Sequence, residues 1–180
     1  MKAATNKLFR KIFATLKPPP NISLSEWADK YRYLSAKSSA EPGRWNTSRT
    51  PYLREVMDAI TDIQTEKVVF MSCAQVGKTD GLILNTIGYY IHYDPASIIV
   101  MQPTSKLAEA FSKDRLSMML ADTPVLRGKV DDRSKNSGNT ILQKNYPGGH
   151  VTMIGANSAN DLRSRPMRIL LADEIDGYPA

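Results

Sequence analysis

Four consecutive apolar residues, Val68-Val69-Phe70-Met71, run straight into Ser72-Cys73-Ala74-Gln75-Val76-Gly77-Lys78-Thr79. No other stretch of the chain constrains its fold as strongly. A short apolar run without alternation, bounded by polar residues, predicts a strand buried on both faces. The residues after it predict a helix from Lys78 to about His92. A strand that becomes a helix through Gly-Lys-Thr matches the last three positions of the phosphate-binding pattern G-x-x-x-x-G-K-[ST]. Ser72 stands where the first glycine of that pattern would be.

The chemistry explains the residue types. Gly77 lets the backbone approach a phosphate closely. Backbone N–H groups of the loop and the first helical turn, aided by the helix dipole, attract the anion. The expected nucleotide-binding set is therefore Ser72, Cys73, Ala74, Gln75, Val76, Gly77, Lys78, Thr79 and Asp80. Lys78 would place a cation on the β- and γ-phosphates of ATP, and the Thr79 hydroxyl would be offered to Mg²⁺. Ser72 is stiffer than glycine, so the loop must open without a positive φ at that position or bear a penalty.

The rest of the chain supplies the frame. Ser97–Met101 predicts a second buried strand, Thr104–Ala121 a helix, and Thr140–Gln143 with His150–Ile154 a hairpin around Pro147-Gly148-Gly149. Arg168–Ala172 predicts another buried strand. Apolar strands alternating with helices indicate an α/β fold, a mostly parallel sheet flanked by helices. Ahead of it, Ser23 or Ser25 can cap a helix to about Leu34, and Ser23 has Glu26 at capping-box spacing. Residues 35–50 read as loop, and Pro51 suits the first turn of a helix through about Ile63. Residues 5–16 carry an amphipathic pattern that stops at Pro18-Pro19-Pro20. The expected organisation is a basic helical arm and proline spacer (1–20), a helical lead-in (21–66) and an α/β core (67–180).

The last strand ends in Asp173-Glu174, about 95 residues after Lys78. An acid ending such a strand can hold Mg²⁺, and the next can polarise an attacking water. Asp173 is the expected Mg²⁺ ligand together with Thr79, and Glu174 the expected general base. Asp176 reads as structural. Arg163 and Arg165, just before this strand, can stabilise γ-phosphate charge, contact DNA phosphate, or be plain surface charges. Trp45 and Tyr52 can stack on adenine or simply pack. Gln102-Pro103-Thr104 can sense a ligand or cap a helix. Cys73 reads as an incidental small residue.

Charge adds a partner class. Lys and Arg number 24 against 18 Asp and Glu, a net +6, and the excess sits in residues 1–50, where ten bases face three acids. Such a segment attracts nucleic acid by counterion release or is merely solvated. One cysteine excludes an intrachain disulfide, and no zinc-ligand spacing is present. The apolar runs are too short to span a bilayer, so no membrane partner is expected. With no visible signal peptide, the cytoplasm is the expected compartment.

Four segments together resemble the ATPase region of phage terminase large subunits of the lambda GpA type. They are Arg49 to Ala59; Cys73 to Thr79; Pro103-Thr104 with Ala110 to Leu116; and Leu162-Arg163-Ser164-Arg165-Pro166 leading to Asp173 through Pro179. The resemblance implies an ASCE-type P-loop NTPase that hydrolyses ATP to drive double-stranded DNA into procapsids. It implies phosphate and Mg²⁺ roles for Lys78 and Thr79, Mg²⁺ binding by Asp173, and catalysis by Glu174. Partners implied are double-stranded DNA, the terminase small subunit (through the N-terminal arm) and the portal protein, with an oligomeric ring possible in the host bacterial cytoplasm. Many terminases carry an Arg in the loop where this chain has Ala74, which makes Arg163 or Arg165 the better candidate for an arginine finger. Family members continue into a nuclease domain. The chain given stops six residues after Glu174, so the expectation is a core truncated after the Walker B strand, with an incomplete sheet. Two other readings remain: another P-loop DNA translocase or helicase, and a remnant that binds nucleotide or the small subunit without turnover.

Overall fold

The computed structural model describes residues 21–37, 39, 41–130, 139–158 and 166–179. The expected arm helix and the candidates Arg163 and Arg165 lie outside the described residues.

The lead-in begins with α1 (Leu24–Tyr31), capped as expected. The Ser23 Oγ accepts from the Glu26 amide, and the Glu26 carboxylate accepts from the Ser23 amide at 3.0 Å. The helix stops at Tyr31, short of the expected Leu34. Arg32 turns extended, and Tyr33–Leu34 (β1) pairs antiparallel with Gly43–Arg44 (β2), so tertiary pairing overrides the local pattern. Pro51–Leu53 forms a 3₁₀ turn leading into α2 (Arg54–Thr61).

After the glycine-lysine-threonine loop, one continuous helical segment begins with a π-helical stretch, Thr79–Leu84, and continues as α3 (Asn85–His92). Every residue from Asn85 to Ile91 is buried. This helix is therefore an interior element, and its small residue Gly88 is required for close approach. A Cβ at Gly88 would collide with the Trp27 ring of α1.

The main sheet has four strands: β3 (Ile98–Gln102), β4 (Gln143–Tyr146), β5 (Gly149–Gly155) and β6 (Ile169–Ala172), in the order β4-β5-β3-β6. β3 pairs parallel with β5 (Val100 opposite Met153) and with β6 (Val100 opposite Leu171). β4 and β5 form an antiparallel hairpin, so the sheet is mixed. Ile98, Ile99 and Val100 of the central strand are almost fully buried, as a continuous apolar run requires. Between β3 and the hairpin run α4 (Ser105–Ala110), a π-helical stretch Phe111–Leu116, and α5 (Ser117–Asp122). Leu24, Trp27, Leu53 and Met57 of the lead-in share one apolar cluster with Leu84, Ile87, Ile98, Val100, Leu116 and Met119.

Three further expectations need correction. Val68–Met71 forms no strand: Val69 is 75% and Met71 95% exposed, and only Phe70 packs against the core. An apolar run becomes a buried strand only where a neighbouring strand pairs with it, and none does so among the described residues. β6 is not the buried strand expected: Ile169 and Leu171 are half-buried, Leu170 is 52% exposed, and among the described residues only β3 pairs with it. The first strand of the hairpin begins at Gln143, where pairing with Thr152 starts; Thr140 lies outside it.

Candidate functional site

The carboxyl ends of β3, β5 and β6 lie side by side. Open α/β sheets place ligands at that edge. The loop 72–79 reaches it through one ion pair: the Lys78 Nζ is 3.1 Å from the Asp173 Oδ1. Asp173 is buried (7% exposed) and continues the β6 ladder, its amide donating to the Met101 carbonyl at 3.0 Å. Its second carboxylate oxygen accepts from the Gln102 side-chain amide at 3.3 Å, and Gln102 is buried too. A charge this far inside requires such partners.

The loop is open to solvent. Residues 72–75 and Gly77 are exposed; Val76, Lys78, Thr79 and Asp80 are half-buried. Its left-handed residues are Gln75 (φ 60°) and Gly77 (φ 79°). Ser72 avoids positive φ, so replacing the first glycine costs nothing there. Gln75 carries the strain that a non-glycine residue bears in that region. The only other described non-glycine residue with positive φ is Glu174 (φ 53°), directly after Asp173 and exposed. Gln75 and Glu174 thus lie near the Lys78–Asp173 pair in sequence, Gln75 three residues before Lys78 and Glu174 directly after Asp173.

The turn after Glu174 is held to the sheet by Tyr178, whose hydroxyl donates to the Met101 carbonyl at 2.9 Å. Burial, then the nearby Asp173 charge, pushes its pKa up to about 12, so it remains a neutral donor. Asp176 sits in that turn, Ile175–Gly177.

Of the aromatic candidates, Trp45 is buried and donates to the Thr47 hydroxyl at 3.0 Å, a packing role. Tyr52 lies beside the loop: its hydroxyl donates to the Val76 carbonyl at 3.0 Å while the residue stays 54% exposed. Thr104 caps α4 by accepting from the Leu107 amide, so within Gln102-Pro103-Thr104 only Gln102 reaches the site. Cys73 is a free, exposed thiol. Asp80 points its carboxylate at Arg32 (3.1 Å) and toward Arg115 (3.9 Å). Sequence reading missed Arg32 altogether, because a single arginine at a helix end carries no signal of its fold-distant partner.

Hard oxygen donors suit Mg²⁺, which is typically held by one or two carboxylates plus substrate phosphates rather than an all-protein cage. Asp173 and Thr79 offer a carboxylate and a hydroxyl of that kind. Among the described residues no cluster of three His, Cys, Asp or Glu side chains is present, and no helix is long and apolar enough to cross a membrane.

Comparison with known proteins places the chain in a family. Residues 39–180 match the family described as phage terminase large subunit gpA, ATPase domain. The chain is similar to the terminase large subunit of Escherichia phage lambda, 26% identical over 180 residues, covering 99% of this chain and 26% of that protein. It is also similar to the terminase large subunit of Enterobacteria phage P21, 26% identical over 162 residues, covering 89% of this chain and 25% of that protein. The chain thus spans about a quarter of the length of these curated relatives. No solved structure matches.

Proposed function

The chain belongs to the phage terminase large subunit gpA ATPase-domain family, and from that premise we propose that it is the nucleotide-binding and hydrolysing portion of a DNA-packaging motor, with a P-loop NTPase core of the ASCE type. The observation that carries this reading is the Lys78–Asp173 pair. It joins a phosphate loop to an acidic strand end about 95 residues away.

The roles follow from position. The backbone N–H groups of residues 72–77 and the start of the helix would cradle the triphosphate. Lys78 would exchange its contact with Asp173 for the β- and γ-phosphates. Thr79 and Asp173 would hold Mg²⁺, which when bound neutralises phosphate charge. Glu174, exposed one residue beyond, would take the proton of the attacking water. Arg163 is the proposed γ-phosphate cation, from outside the described residues. Residues 21–66 would serve as lead-in and 67–180 as the ATPase core. Double-stranded DNA, the small subunit (through arm 1–20) and the procapsid portal are the proposed partners, in a ring and in the host cytoplasm.

Calorimetry with Mg-ATP, paired with a turnover assay, tests this. Lys78→Ala should abolish binding, and Glu174→Gln should bind but not turn over. Undiminished turnover in both variants would sink the residue assignment. One observation favours the second reading, binding without turnover: Val69 and Met71 ahead of the loop are exposed, and among the described residues no strand pairs with Val68–Met71, so the loop is not led in by the rigid strand that precise phosphate positioning needs. Wild-type binding with turnover no faster than that of Glu174→Gln would select it.

A further inference from the structure

Asp80 is the first residue after Thr79, in the first turn of the helix whose N-terminal amides face the loop. A carboxylate there suits the helix dipole. It also sets a negative charge close to where a polyphosphate would bind, in direct competition with it. The fold meets that conflict with two cations from distant parts of the chain. Arg32, at the C-terminal end of α1, is 1% exposed and places one guanidinium nitrogen 3.1 Å from the Asp80 Oδ1. Its other terminal nitrogen donates to the Thr123 hydroxyl at 3.3 Å and to the Tyr33 carbonyl. Arg115, from the π-helical stretch before α5 and about half exposed, approaches the Asp80 Oδ2 at 3.9 Å.

Arg32 is an expensive residue to bury. Among the described residues its Nε has no hydrogen-bond partner, and burial works against its charge, with Asp80 first and then Asp122 working for it. A packing role alone would be met as well by an apolar side chain of similar volume. We propose that Arg32, seconded by Arg115, is a positioning residue that neutralises Asp80 and turns its carboxylate away from the loop, so that the helix N-terminus accepts a polyphosphate. Through this contact the lead-in segment governs the affinity of the phosphate loop. The inference rests on the nucleotide reading above and adds to it a residue in no recognised motif.

The test is calorimetric titration of the full chain with Mg-ATP, Mg-ADP and inorganic tripolyphosphate. Arg32→Met restores a like-charge repulsion in a half-buried site and should weaken ATP about tenfold. ADP should suffer less, because the penalty scales with ligand charge. Arg32→Met/Asp80→Asn, which removes both charges, should recover wild-type affinity, and a purely structural role would give no such rescue. Arg115→Gln should weaken ATP modestly and only at low salt, because its charge is exposed. Folded Arg32→Met that binds ATP as the wild type does, or a double variant as weak as the single, overturns the proposal. Should Arg32→Met fail to fold, Arg115→Gln decides: an ATP-affinity deficit against wild type at low salt that closes at high salt supports the proposal, and affinity equal to wild type at low salt overturns it. A wild type that binds none of the three ligands overturns the nucleotide reading instead.

Discussion

Residues at this site do their work through neighbours brought from elsewhere. Asp173 is tolerable inside because Lys78 and Gln102 each take one of its oxygens. Glu174 accepts left-handed backbone, at a cost of about 1 kcal/mol, and so breaks the strand immediately after the buried acid. His92 shows the same dependence at the far end of the helix. Its Nδ1 accepts from the Trp27 indole N–H at 3.1 Å, and the Tyr31 ring meets it edge-on at 4.9 Å. Burial, then the Lys129 charge, lowers its pKa below 6.5. The neutral ring is the bonded form, so its contribution to stability is complete above pH 6.5. It is lost as pH falls through the lower folded value, because the unfolded chain takes up the proton first. Thermal unfolding of wild type and His92→Gln between pH 7.5 and 5 checks this. The wild type should lose more stability over that range, and parallel curves would refute it.

At the scale of elements, the decisive joint is α1 against α3. Gly88 makes it possible, and Trp27, fixed by its bond to His92, fills the space. Gly88→Ala therefore cannot be absorbed by an easy ring movement. Helix propensity favours alanine by about 1 kcal/mol, but overpacking costs about 1–3 kcal/mol. Net destabilisation in urea unfolding is the expected outcome, and a stabilised variant would show the joint to be looser than described. The Arg32–Asp80 contact runs from the end of α1 to the π-helical stretch that precedes α3.

For the whole molecule, one core runs from the lead-in through the sheet, and the candidate site lies where β3 and β6 end. The described surface also carries bare apolar chain: Val69, Met71 and Leu170 are all more than half exposed, and β6 has an open outer edge. Edges of this kind pair with other strands. Concentration-dependent association in sedimentation velocity is expected, and Leu170→Lys should shift it toward monomer. Association unchanged by that substitution would place the contact elsewhere.

Much of this was legible in the residues alone. The Ser23–Glu26 cap, the buried β3, the turn at Pro147-Gly148, the Gly77-Lys78-Thr79 helix start and the acidic strand end are local signals, written within a few neighbouring positions. Val68–Met71 misled because apolarity records a preference for burial without naming what would provide it. The fate of β6 was hidden for the same reason, as an edge is defined by a missing neighbour. The sequence by itself determined the α/β character, the helix start at Gly77-Lys78-Thr79 and the two carboxylates that follow β6. Tertiary structure alone decided that Lys78 meets Asp173, that Arg32 answers Asp80 across 48 positions, and which apolar runs stay bare, because charge pairing and strand pairing depend on distances that only the folded chain creates.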